Sequence, residues 1–157
     1  MPIKDFLYEI GISRRDFVAI FILVFNAFTW YYVVSARMRE ILSSSNVTYI
    51  ENLSIWALYY VTIICSGIVG SLLARKIRRS TFLCLWMLLG TVLSLLPVTV
   101  ESRVSPYSLG VFTLWAVSFG MGMPSCLAYF ADLTLTENRG LISGITYMAI
   151  NLGVFSF

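Results

Sequence analysis

The sequence predicts an all-α fold, a polytopic bundle of transmembrane helices. Three observations carry that expectation. The 157 residues are 59% apolar and only 12% charged, whereas a soluble domain carries about 25% charged residues. Five long apolar runs hold no Lys, Arg, Asp or Glu. The basic residues gather in the connections, mostly on one predicted side of a bilayer.

Residues 1–16 form the first element, a cytoplasmic N-terminal segment. Within it, 3–16 can lie along a membrane surface, with Phe6, Leu7 and Ile10 on one side. The transmembrane domain follows over 17–157. Its first run, 17–35, approaches the roughly 20 apolar residues that a spanning helix needs. Val34, Ser35 and Ala36 loosely resemble a signal cleavage site. The run exceeds the roughly 7–15 residues of a signal core, and mixed charge precedes it, so it reads as a retained span. An outer loop from Arg37 to Asn52 comes next and carries Asn46, Val47 and Thr48, a glycosylation acceptor pattern.

The second run is 55–74. Ser66 with Gly70, and Gly67 with Ser71, are small pairs four apart. Such pairs share a helix face and admit a neighbouring backbone. A basic turn follows, with Arg75, Lys76, Arg78 and Arg79 inside five positions. The third run is 82–100. The fourth, 108–131, holds Gly120, Gly122 and Pro124, and the proline removes a backbone hydrogen bond. The fifth, 141–157, is preceded by Gly140 and contains Gly144 and Gly153. These small residues serve either ordinary helix packing or helices that slide against each other, as transporters require.

Charge sets the expected threading. Lys4, Arg14, Arg15, the four basic residues at 75–79 and Arg139 fall on one side, and Arg37, Arg39 and Arg103 on the other. Basic residues are retained in the cytoplasm. The N-terminus is therefore expected inside a cell membrane crossed several times. Trp30, Tyr31, Tyr32, Trp56, Tyr59 and Tyr107 fall near the outer ends of their runs, as an aromatic belt would.

Composition also excludes chemistry. The chain has no His, so no imidazole base or ligand. Cys65, Cys84 and Cys126 stand alone in apolar runs and read as buried small residues, without the close spacing of a zinc site. No phosphate-binding glycine loop occurs. No enzyme activity, cofactor, metal or nucleic-acid partner is expected. Intramembrane carboxylates, the usual mark of ion coupling, are missing from the five runs. Asn26, Thr29, Thr62 and Trp115 are the candidates for lining a central cavity.

Two stretches carry a resemblance. Gly70 to Arg79 is similar to the signature between the second and third helices of the major facilitator superfamily, with Gly70, Arg75, Arg78 and Arg79 on matching positions and Ala74 where the family has Asp. Gly120 to Gly144 resembles the family's fourth helix and the start of its fifth, through Asp132, Glu137, Arg139, Gly140 and Gly144. The resemblance implies the first five of twelve helices, a fragment of a secondary transporter of small solutes that works by alternating access. It implies a cytoplasmic latch of Gly70, Arg75, Arg78, Arg79, Asp132, Glu137 and Arg139. Its implied partners are the lipid bilayer, an unidentified small-molecule solute, and the remaining helices of the transporter or other membrane helices. The alternative is a small non-transporting membrane protein that associates with partner helices through its glycine faces.

Overall fold

The computed structural model describes residues 12–96, 99–100 and 103–154. Among them the chain is helical and contains no strand. The helices are α1 (Arg14–Ser44), α2 (Tyr49–Ala74), α3 (Arg79–Leu93), α4 (Pro106–Leu133) and α5 (Arg139–Val154), with one 3-10 turn at Thr136–Asn138.

Side-chain caps fix where three of these helices begin. Ser13 accepts the Asp16 backbone N–H at 3.1 Å and donates its hydroxyl to the Asp16 carboxylate at 2.6 Å, which opens α1. Thr48 and Glu51 form a reciprocal capping box that opens α2. Ser105 and Ser108 exchange backbone-to-hydroxyl bonds of 2.8 and 3.2 Å around Pro106, which starts α4. A proline suits that first position because its missing N–H would be unpaired there in any case.

Five spans were expected, and three helices, α1, α2 and α4, are long and apolar enough to cross a membrane. The third run ends early. Its helix stops at Leu93 after 15 residues, about 22 Å by the helical rise, short of a hydrocarbon core of about 30 Å. The Ser94 N–H bonds back to Gly90 and the Leu95 N–H to Val92 in a tightening turn. Pro97 in the sequence disfavours helical backbone at Leu96. In the fifth run, α5 extends to Val154 with 16 residues, and 155–157 lie outside the described residues. Residues 1–11, including the predicted surface face of Phe6, Leu7 and Ile10, also lie outside them.

The first connection corrects the sequence reading. The helix does not stop at Ser35 but runs to Ser44, and only Ser45–Thr48 separate α1 from α2. Charged Arg37, Arg39 and Glu40 end a lipid-compatible run, but they do not end a helix. Arg37 and Glu40 pair on it at 2.7 Å.

The chain divides into two compact units, residues 1–30 with 126–157 and residues 31–125. In the first unit, Phe17, Phe21 and Phe25 stack along α1 with centroids 6.3 and 5.7 Å apart. Phe28 meets Tyr147 of α5 at 5.3 Å, and Ile12 packs with Ile142 beside Phe17 and Phe130. In the second unit, Val111, Phe112, Trp115, Ala116 and Phe119 of α4 are buried, with Phe82, Leu83 and Trp86 of α3. The outward faces are apolar, with Ile64, Ile68 and Leu72 of α2 and Leu85 and Leu88 of α3 exposed. This also corrects the cysteines: Cys126 is buried, whereas Cys65 and Cys84 are exposed. A helix that is apolar all round can leave small apolar residues facing outward when its surroundings are lipid.

Candidate functional site: a glycine crossing and a basic turn

The second unit holds the most closely packed group of predicted site residues. Where α2 crosses α4, a side chain on Gly70 would run into the Met121 backbone, and one on Gly120 into Ser66 and the Ile63 carbonyl. Helix backbones approach this closely only when glycine supplies the contact. Gly122 lies against the indole of Trp86, whose ring N–H donates to the Ser118 carbonyl at 2.6 Å. Gly67 is less confined, since an added Cβ would sit 3.4 Å from the Gly120 oxygen and 3.7 Å from the Pro124 ring. That oxygen is the i−4 carbonyl that Pro124 cannot bond. Beside the crossing lies an open apolar groove of about 390 Å³, lined by Ile64, Gly67, Ile68, Ser71 and Met123 among others.

The end of α2 carries Arg75, Lys76, Arg78 and Arg79, all exposed. Arg75 is the C-cap of α2, and its N–H bonds to Leu73. Arg78 is the N-cap of α3 and supplies no side-chain cap.

In the first unit, Asp132 lies in the last turn of α4 and Glu137 in the 3-10 turn, both exposed. Arg139 opens α5, and its guanidinium donates to the Ala131 carbonyl at 2.6 Å and the Thr134 carbonyl at 3.3 Å. A cation suits the negative end of a helix dipole. Gly153 approaches the Phe25 ring, with room for a Cβ only 2.9 Å from it, whereas Gly140 and Gly144 have open space where a Cβ would sit. The latch residues are therefore split: Gly70, Arg75, Arg78 and Arg79 belong to the second unit, and Asp132, Glu137 and Arg139 to the first.

The four candidates for a cavity lining differ. Asn26 is exposed, and Thr62 donates to the Leu58 carbonyl at 2.7 Å. Trp115 is fully buried and donates to the Leu93 carbonyl at 3.3 Å, so it packs rather than faces an opening. The Thr29 hydroxyl is buried without a hydrogen-bond partner among the described residues, whereas the buried Ser35 and Tyr59 hydroxyls face each other.

Sequence reasoning missed Ser35 and Tyr59. Tyr59 was placed in an aromatic belt, but it is buried against Trp56, with ring centroids 5.9 Å apart and nearly perpendicular planes. Tyr31 likewise stacks on Phe119 at 4.6 Å. The available signal was a Ser and a Tyr within apolar runs, where a polar tip needs a partner.

Outside the membrane-compatible runs, Glu51 has a shifted carboxyl. The Thr48 backbone N–H, and then its hydroxyl, hold the carboxylate below its usual range. Comparison with protein-family models, curated proteins and solved structures finds no match.

Proposed function

We propose that the chain is a multi-pass membrane protein of secondary-transporter type, similar in plan to the first helices of the major facilitator superfamily, with its N-terminus in the cytoplasm. The observation that carries this reading is the buried hydroxyl of Thr29, which has no hydrogen-bond partner among the described residues, within a helix otherwise built for lipid. A buried polar group without a partner costs about 1–3 kcal/mol. Such groups inside membrane helices mark paths for polar solutes. The two stretches that resemble the family support the reading, since they fall on helix ends, Gly70–Arg79 between α2 and α3 and Asp132–Gly140 between α4 and α5.

Accessibility tests it. Cys65, Cys84 and Cys126 are replaced by Ser, then Ser35→Cys or Thr29→Cys is introduced and the chain is placed in vesicles. A membrane-impermeant thiol reagent should label the new cysteine from either side, because alternating access opens a midplane site to both. Protection from both sides in an inserted chain overturns transport. Single cysteines at Ile77 and Val104 should label from opposite sides, and labelling from one side overturns the threading.

A second reading is favoured by the open space at Gly140 and Gly144 on α5. In it, the chain does not transport and that glycine face receives a helix of another membrane protein. It predicts a detergent-resistant complex that Gly144→Leu disperses.

A further inference from the structure

We infer that the groove between α2 and α4 is a binding site for a small apolar phenol, held by one hydrogen bond to the Gly120 carbonyl. The site lies within the second unit and stands whether or not the chain transports.

A proline creates the acceptor. In an α-helix each carbonyl receives the N–H four residues on. Pro124 has no N–H, so the Gly120 carbonyl loses that bond. The side chains around it do not replace the missing donor. The Ser66 hydroxyl turns to the Ile63 and Ala116 carbonyls, and the Ser71 hydroxyl donates to the Gly67 carbonyl at 2.8 Å. The Trp86 ring N–H is committed to the Ser118 carbonyl.

A glycine keeps the acceptor within reach. An added Cβ on Gly67 would sit 3.4 Å from the Gly120 oxygen and 3.7 Å from the Pro124 ring. Gly67, Gly120 and Pro124 all line the groove. The oxygen that lacks its helical donor therefore lies at the wall of an open space rather than against a side chain.

The rest of the lining selects the ligand. No residue that lines the groove is charged, so a charged donor would lose its hydration with no counter-charge to meet it. A hydroxyl brings one neutral donor. Phe119 and Met123 present a ring and a thioether, which favour an aromatic body. The volume of about 390 Å³ is at the small end of ligand cavities, which run to roughly 300–1,000 Å³, so a single substituted ring is the right size. Ile64 and Ile68 form the outward rim, 64% and 60% exposed. In a bilayer a hydrocarbon tail can also fill such a groove, but it brings no donor. With water excluded, the one hydrogen bond separates the phenol from the tails.

The test uses the whole chain in detergent micelles with an alkylphenol that carries a diazirine on its tail. Mass spectrometry reads the crosslink on the peptides holding Ile68 and Met123. Two competitors are titrated against it: para-butylphenol, and its methyl ether, which keeps the apolar body and lacks the donor. The ratio of their potencies is the quantity read. In Pro124→Ala the restored N–H takes up the Gly120 carbonyl, and the ratio should shift against the phenol by about fivefold, the worth of one neutral hydrogen bond. Comparing the two proteins cancels the unequal partition of the competitors into micelles and the bulk of the extra methyl group.

Ile68→Trp is the companion variant. It changes an exposed rim position, leaves the helix crossing intact, and should diminish the crosslink at Met123 by filling the groove. A potency ratio unchanged in Pro124→Ala overturns the inference. So does a Met123 crosslink that neither competitor nor Ile68→Trp diminishes, which would place the phenol outside the groove.

Discussion

Two glycine-rich stretches of this chain look alike as sequence and differ as structure. Gly70 and Gly120, where α2 crosses α4, are each pressed against neighbouring backbone. Gly140 and Gly144, at the start of α5, have nothing among the described residues where a side chain would go. Spacing four residues apart, as in Ser66 with Gly70 and Gly140 with Gly144, states that two small residues share a helix face. It does not state that anything occupies that face. In the second unit the face is closed by α4, with Trp86 of α3 laid over Gly122. In the first unit the contacts of α5 come from other positions, through Ile142, Tyr147 and Gly153.

The comparison can be broken by substitution. Gly70→Ala should cost the most, about 1–3 kcal/mol, because the obstacle is backbone that cannot swing aside. Unfolding in mixed micelles by titration with a denaturing detergent measures it. Trp86→Phe comes next, at about 1–2 kcal/mol, from the lost bond to the Ser118 carbonyl and a smaller ring over Gly122. The same titration reads it, and an unchanged stability would mean the indole adds nothing to the crossing.

Thr48→Ala weakens α2 at its end without touching the crossing and should cost about 1 kcal/mol. Its pH response sharpens the point. The Glu51 carboxyl is held low by Thr48, so its contribution is present above the unfolded pKa and is lost as pH falls through the lower folded value. The protection of the Thr48 and Glu51 amides, taken relative to intrinsic exchange at each pH, should fall in acid in the wild type, and less so in Thr48→Ala. The smallest effect has the opposite sign. Gly144→Ala should stabilise by up to about 1 kcal/mol, since alanine is the better helix former and the space is empty. Destabilisation as large as that of Gly70→Ala would erase the distinction between the two stretches.

The sequence made the helices legible to different degrees. The runs at 55–74 and 108–131 lie inside α2 and α4, because uncharged length and flanking caps act in the same direction there. The pairing of Ser66 with Gly70 was also legible: both are buried, and the Ser66 hydroxyl reaches the Ala116 carbonyl at 3.4 Å. The end of α1 was not, since Arg37, Arg39 and Glu40 are ordinary helix formers once outside lipid. The end of α3 was hidden by Leu93 to Leu96, which keep the run apolar after the helix has turned. Of the site, Gly67 and Gly70 could be named from their spacing with Ser71 and Ser66, and Gly120 and Gly122 from the run of small residues around them. The facing hydroxyls of Ser35 and Tyr59 could not, because they come from different helices, α1 and α2.

Arg139 was singled out as one member of a charged latch, and within its own unit it is bonded to the carbonyl end of α4 while being the first residue of α5. One side chain thus couples two consecutive rods at their joint. A tilt of the last turn of α4 would be handed on to α5 as a rudder follows its stock, and Arg139→Ala would leave only the short connection of residues 134–138 to carry it.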